Sequence, residues 1–131
     1  MDEEVLLNHV AIQYSDLKLA DVFFTEILNI PKEKSYTLSK DLSEKIFNIP
    51  SETEIVVYKN DKICFEVFLS KYKKETDYTH ICIEVKDRKE FMKLCQKRGL
   101  NSQIIKKGDK KLMFIKDFSN NLYEIKDKQK L

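Results

Sequence analysis

At 131 residues, with 42% hydrophobic and 35% charged side chains, the chain is sized for one globular domain that removes roughly two thirds of its unfolded surface from water. A net charge of +2 is too near balance to argue for nucleic acid or an anionic membrane, and no apolar run approaches the length that crosses a bilayer. The acidic start Met1-Asp2-Glu3-Glu4 does not resemble a signal peptide, so a cytoplasmic protein is the expectation.

The first element is the run His9-Val-Ala-Ile-Gln-Tyr-Ser-Asp16. Alternation puts Val10, Ile12 and Tyr14 on one face of a strand and His9, Ala11 and Gln13 on the other. Asp16 is placed to cap a helix over 17–28, on which Leu19, Val22, Phe23, Glu26, Ile27 and Ile30 recur at helical spacing, and Asn29-Ile30-Pro31 stops it. A short β-like piece follows over 35–38, then a short helix over 40–49 ending at Pro50. Strands over 54–58 and 62–69 flank Lys59-Asn-Asp-Lys62, a sequence suited to a hairpin turn.

The second half repeats the first. His80-Ile-Cys-Ile-Glu-Val-Lys-Asp87 matches the opening run with His80, Ile81, Ile83 and Asp87 each displaced by 71 residues, and the chain's only two histidines open the two runs. A strand over 78–85 leads to a helix over 88–98 that is capped by Asp87, with Glu90 in the capping-box position and Gly99 as the stop. Strands over 100–106, 111–116 and 122–126 complete it, with turns at Lys107-Gly-Asp109 and Phe118-Ser-Asn-Asn121. The architecture is βαβββ twice, with module one over about 5–70 and module two over about 76–127 of a single domain.

The last strands also match. Phe65-Glu66-Val67 and Tyr123-Glu124-Ile125 each set one carboxylate between two apolar residues, so each Glu faces away from the core stripe. Two imidazoles and two carboxylates on one face are costly unless something pairs with them, and two N and two O donors suit a first-row divalent cation. His9, Glu66, His80 and Glu124 are therefore the candidate metal ligands. The three cysteines, Cys64, Cys82 and Cys95, lack C-x-x-C spacing and are expected as reduced core residues, although Cys64 and Cys82 share strand parity with Glu66 and His80. Lys71, Lys73 and Lys74, and Lys106, Lys107, Lys110 and Lys111, are expected as solvated turns, and Arg88 and Arg98 as surface residues.

These residues resemble the vicinal oxygen chelate superfamily, which includes glyoxalase I, methylmalonyl-CoA epimerase, bleomycin-resistance proteins, fosfomycin-resistance enzymes and extradiol dioxygenases. The resemblance spans about 6–126: NHVAIQYSDLKLADVFFTEILNI is similar to the family's first strand and helix, YTHICIEVKD to the opening of its second module, and FIKDFSNNLYEI to its closing D-P-x-G-N-x-x-E strand. It implies an α+β fold in which eight strands form a mixed, open half-barrel with helices on the convex side. It also implies one divalent metal (Ni, Co, Zn, Mn or Fe) on His9, Glu66, His80 and Glu124, a small-molecule substrate, and a homodimer. The chemistry implied is that of a lyase or isomerase stabilising an enediolate of a carbonyl or acyl-thioester substrate, with Glu124 as first candidate for the base and Glu66 as second. The alternatives within the family are a binding protein of the bleomycin-resistance type, and a thiol transferase or dioxygenase. Phe118 and Asn120 stand where the closing motif often has Pro and Gly, and Ser70 stands where glyoxalase I carries an Asn that helps hold glutathione. The segment 39–51 has no counterpart in module two and is read as a cover for one end of a cleft.

Overall fold

The alternating runs become strands because one side of each is apolar and the other is not. The computed structural model describes residues 5–71 and 77–128, and the chain divides into two compact units, Met1–Tyr72 and Lys73–Leu131. The first unit holds β1 (Val10–Tyr14), β2 (Lys32–Leu38), β3 (Thr53–Lys59) and β4 (Cys64–Leu69) in the order β1-β4-β3-β2. The second holds β5 (Ile81–Val85), β6 (Asn101–Lys107), β7 (Lys110–Lys116) and β8 (Leu122–Asp127) in the equivalent order β5-β8-β7-β6. In each sheet the first strand runs parallel to the last and the remaining pairings are antiparallel. The duplication read from sequence is therefore a duplication of topology.

The caps act as their positions imply. Asp16 accepts from the Leu19 N–H at 3.0 Å at the start of α1 (Leu17–Asp21), Ser39 accepts from Leu42 N–H at 3.2 Å at the start of α2 (Lys40–Phe47), and Asp87 accepts from Glu90 N–H at 3.2 Å at the start of α3 (Arg88–Lys97). Glu90 turns outward to Lys93 at 3.4 Å. Three Asn residues take left-handed conformations: Asn29 and Asn48, each just past a helical segment, and Asn120 in the β7–β8 turn at φ 66°, where Asn stands in for the glycine such a turn favours.

The expected first helix departs from α geometry half-way. Beyond α1 it continues as a π-helical segment (Val22–Ile27), with Leu28 N–H donating to the Phe23 carbonyl at 2.9 Å, five residues back. The wider turn lets neighbouring Phe23 and Phe24 both reach the core, whereas Leu19, read as part of the buried stripe, is partly exposed. Phe24 stacks on Tyr58 at 4.8 Å and meets Phe23, Phe65 and Tyr14 at 5.0, 5.1 and 5.6 Å. Such pairs add about 0.5–1.5 kcal/mol each to their area burial. The second unit packs Met92, Cys95, Leu100, Met113, Ile115, Tyr123 and Ile125 instead.

Other differences from the sequence reading are local. β2 begins at Lys32, with a register shift between Lys32 and Lys34, while β5 begins only at Ile81. Of the cysteines, only Cys95 is a core residue; Cys64 is half-buried and Cys82 exposed, because both lie on the sheet face away from the packed stripe. Arg88 is no idle surface residue: its guanidinium donates to the Lys111 carbonyl at 2.9 Å and lies 3.6 Å from Asp127, tying α3 to β7 and β8. Lys71, Lys106, Lys107, Lys110 and Lys111 are exposed, as solvated turns should be, whereas Lys73 and Lys74 lie outside the described residues, as do Met1, Asp2, Glu3 and Glu4.

Candidate metal centre

Register decides where the four candidate ligands stand. In the first unit Ala11 lies opposite Glu66, and Glu66 opposite Val57. In the second unit Cys82 lies opposite Glu124, and Glu124 opposite Phe114. Each Glu is thus one step across from the residue two places after the His. Phe65 and Val67, and Tyr123 and Ile125, flank the two carboxylates and point into their cores, so Glu66 and Glu124 stand half-buried on the opposite faces.

The first pair is in direct contact. His9 Nδ1 lies 2.8 Å from Asn8 Oδ1 and 3.3 Å from Glu66 Oε2. In the second unit His80 Nδ1 lies 2.9 Å from the Tyr78 carbonyl oxygen, in a turn where Thr79 N–H donates to Asp77 at 2.8 Å. Carbonyl and carboxylate oxygens only accept, so in both rings the proton belongs on Nδ1 and a neutral ring keeps its lone pair on Nε2. That is the arrangement in which a second partner fixes the tautomer of a ligating imidazole. Within neither unit, among the described residues, do three or more His, Cys, Asp or Glu side chains gather as a cage for an ion; each unit offers one imidazole and one carboxylate. The donor chemistry fits a first-row divalent cation that takes N and O ligands.

Three further residues stand on these faces: Tyr36 and Phe68, which were not among the sequence candidates, and Cys82, whose strand parity with His80 the sequence shows. Tyr36 on β2 lies within hydrogen-bonding reach of Glu66, and burial first, then the Glu66 carboxylate, push its phenol above the ordinary value. Tyr36 was readable only as the lone aromatic in a polar strand; its partner becomes visible once β2, β3 and β4 are in register. Phe68 on the Glu66 face meets Phe47 of α2 with ring centroids 5.5 Å apart, so the 39–51 segment lies over part of that face. Cys82 faces Glu124, and burial followed by that carboxylate pushes its thiol up.

The closing turn positions Glu124. Asp117 is buried and accepts from the backbone of Ser119 (2.9 Å) and Asn121 (3.0 Å), from the Asn121 side chain (3.0 and 3.2 Å) and from the Tyr123 hydroxyl (2.8 Å). Burial nonetheless wins and holds its carboxyl above the usual range. In the first unit the β3–β4 turn uses Asn60 instead, whose side chain accepts from the backbone of Lys62 and Ile63 at 2.8 and 2.9 Å.

No family model and no curated protein sequence match the chain. Solved structures do. The fosfomycin resistance protein FosX of Listeria monocytogenes superposes with a TM-score of 0.73 at 17% identity, over 97% of this chain and 96% of that one. The chain has the vicinal oxygen chelate fold. Two other structures agree: the trypanothione-dependent glyoxalase I of Leishmania major, with a TM-score of 0.71 at 20% identity over 95% of this chain and 87% of that one, and a glyoxalase family protein of Enterococcus faecalis, with 0.68 at 18% over 92% and 95%. A variant of the Listeria FosX has been captured with Mn(II) and a dihydroxypropylphosphonic acid. With such low identities the vicinal oxygen chelate fold is what these likenesses establish, and the substrate has to come from the site.

Proposed function

We propose that the chain is a metal-dependent enzyme, a lyase or isomerase that moves a proton at the carbon beside the carbonyl of a small carbonyl or acyl-thioester substrate. The observation that carries this is the repeated pair: the same imidazole and the same carboxylate occupy equivalent register positions in both units, Ala11 opposite Glu66 and Cys82 opposite Glu124. Unrelated surface residues have no reason to recur in this way. On this reading His9 and His80 would hold one divalent cation through Nε2, and Glu66 and Glu124 through carboxylate oxygens. When bound, that cation supplies Lewis-acid stabilisation of negative charge on the substrate's oxygens.

The chain's own residues do the rest. Glu124 takes the proton from carbon and returns it, because a carboxylate on the face away from the core can both accept and donate there. Glu66, in contact with His9, remains a ligand. Phe47 and Phe68 supply an apolar boundary on the Glu66 face, limiting water near the reacting carbon. The chain is further taken to work in the cytoplasm as a homodimer; for the dimer, the support is that Val5, Leu6 and Leu7 are 75–90% exposed in the single chain.

The test is elemental analysis of protein purified without added metal, beside the His9→Ala, His80→Ala double variant. Near-stoichiometric metal in the wild type and loss in the variant is expected; equal content in both rejects the site. Hemithioacetal isomerisation and solvent deuterium uptake into the product then test the reaction. The likeness to FosX favours a second reading, chemistry on a small phosphonate, with Lys34 in the Lys34, Val57, Glu66 row as a counter-charge. Turnover of fosfomycin without hemithioacetal isomerisation would select it.

A further inference from the structure

We propose that Tyr36 is a positioning residue that holds Glu66 in place for the cation. This deepens the metal-dependent reading above and rests on it. Tyr36 lies opposite Ile55, and Ile55 opposite Phe68, so Tyr36, Phe68 and Glu66 share one face of the first sheet. Two strand spacings, about 10 Å, separate β2 from β4, a gap that a phenol and a carboxylate leaning toward each other can span. Of the two groups only the phenol can donate to an ionised carboxylate, so the Tyr36 hydroxyl is the donor and Glu66 the acceptor of the bond proposed. Lys34, two residues back on the same face, sets its ammonium 5.8 Å from the centre of the Tyr36 ring and helps hold the ring's orientation.

Glu66 thus has two neighbours placed to hold it, Tyr36 on the shared face and His9 at 3.3 Å. Among the described residues, the second unit offers Glu124 no such phenol. Phe114 pairs with Glu124 as Val57 pairs with Glu66, and two residues along, Leu112 pairs with Ile105 as Ile55 pairs with Tyr36. Ile105 therefore occupies the equivalent position, without a hydroxyl. A carboxylate held by an outer donor keeps one orientation, and losing such a donor typically weakens metal binding 10–100-fold.

The experiment titrates metal-free wild type and Tyr36→Phe with Co(II), recording the dissociation constant and the visible d–d spectrum. The wild-type spectrum provides a signature that a purely structural role for the hydroxyl would not alter. Tyr36 is 41% exposed, so removal of one oxygen leaves the sheet intact, which circular dichroism checks. A dissociation constant raised about tenfold, with changed band positions or intensities, is expected. Co(II) uptake with the same affinity and spectrum in both proteins overturns the role of Tyr36 and leaves the metal site standing. No uptake by the wild type overturns the metal-dependent reading and the role of Tyr36 with it.

Discussion

The two units share a strand order and a register but not a core, and their carboxylates are held differently. The first packs Tyr14, Phe23, Phe24, Tyr58 and Phe65 around a π-helical turn and engages Glu66 with His9. The second packs mainly aliphatic and sulfur side chains under α3 and sets Glu124 beside Cys82 and Phe114, directly after a turn knotted around Asp117. A duplicated backbone thus keeps the positions of four polar groups while the surroundings diverge. On the proposed reading, that divergence is what would give chemically identical side chains different duties.

Substituting the carboxylates one at a time breaks the comparison most sharply. Glu124→Gln is expected to lower turnover on the order of a thousandfold, the scale of a lost general base, while Glu66→Gln acts chiefly on cation affinity. Equal loss of turnover at unchanged metal content in both variants would abolish the distinction between them. Packing comes next. Phe24→Ala, at the centre of the aromatic cluster, should cost about 3–5 kcal/mol in urea unfolding, and Ile125→Val in the other core only about 1 kcal/mol.

A smaller difference is expected at two of the buried tyrosine hydroxyls, those of Tyr123 and Tyr58. Tyr123→Phe leaves buried Asp117 short of one donor and should cost about 1–2 kcal/mol. Tyr58→Phe should cost less, about 0.5–1 kcal/mol, because Asp21, bonded to Tyr58 at 2.7 Å, keeps Lys32 at 2.9 Å and is partly exposed to water. Equal costs would show that the Asp117 turn is not the stiffer of the two.

The last effect is absent at neutral pH and concerns alkaline stability. Burial pushes the Cys95 thiol up to about 12, whereas in the unfolded chain it ionises near its ordinary value, about 8.5. Both states keep the thiol neutral below that value, so stability is unaffected there. As pH rises from about 8.5 toward 12 the unfolded state releases its proton first and stability falls. Cys95→Ala should flatten this part of a pH series of unfolding midpoints, and an unchanged slope would show that Cys95 is not its source.

Much of this was readable because period-two alternation and repetition are strong signals. The caps at Asp16 and Asp87, the parity of Glu66 and Glu124, and the turn tolerance of Asn120 each depend on a few neighbouring residues. The rest depends on contacts distant in sequence. The spacing of Phe23, Phe24 and Ile27 suits an α-helix and a π-helix alike, and the choice falls to Tyr58 and Phe65 on strands formed much later in the chain. Tyr36 could not be matched to Glu66 without two strand pairings, one of which contains a register shift at its start. Cys82 read as core because its neighbours are apolar, although its parity with His80 already set it on the other face, the one on which Glu124 of β8 stands beside it.

The knot around Asp117 also bears on motion. Four donor groups hold one carboxylate, and the last of them, the Tyr123 hydroxyl, belongs to the residue just before Glu124. A backbone clamped so near cannot carry the glutamate forward. Whatever travel Glu124 makes must come from rotation about its own side-chain bonds, a short arc from a fixed pivot; were it the base proposed above, a substrate would have to be delivered to that arc rather than pursued.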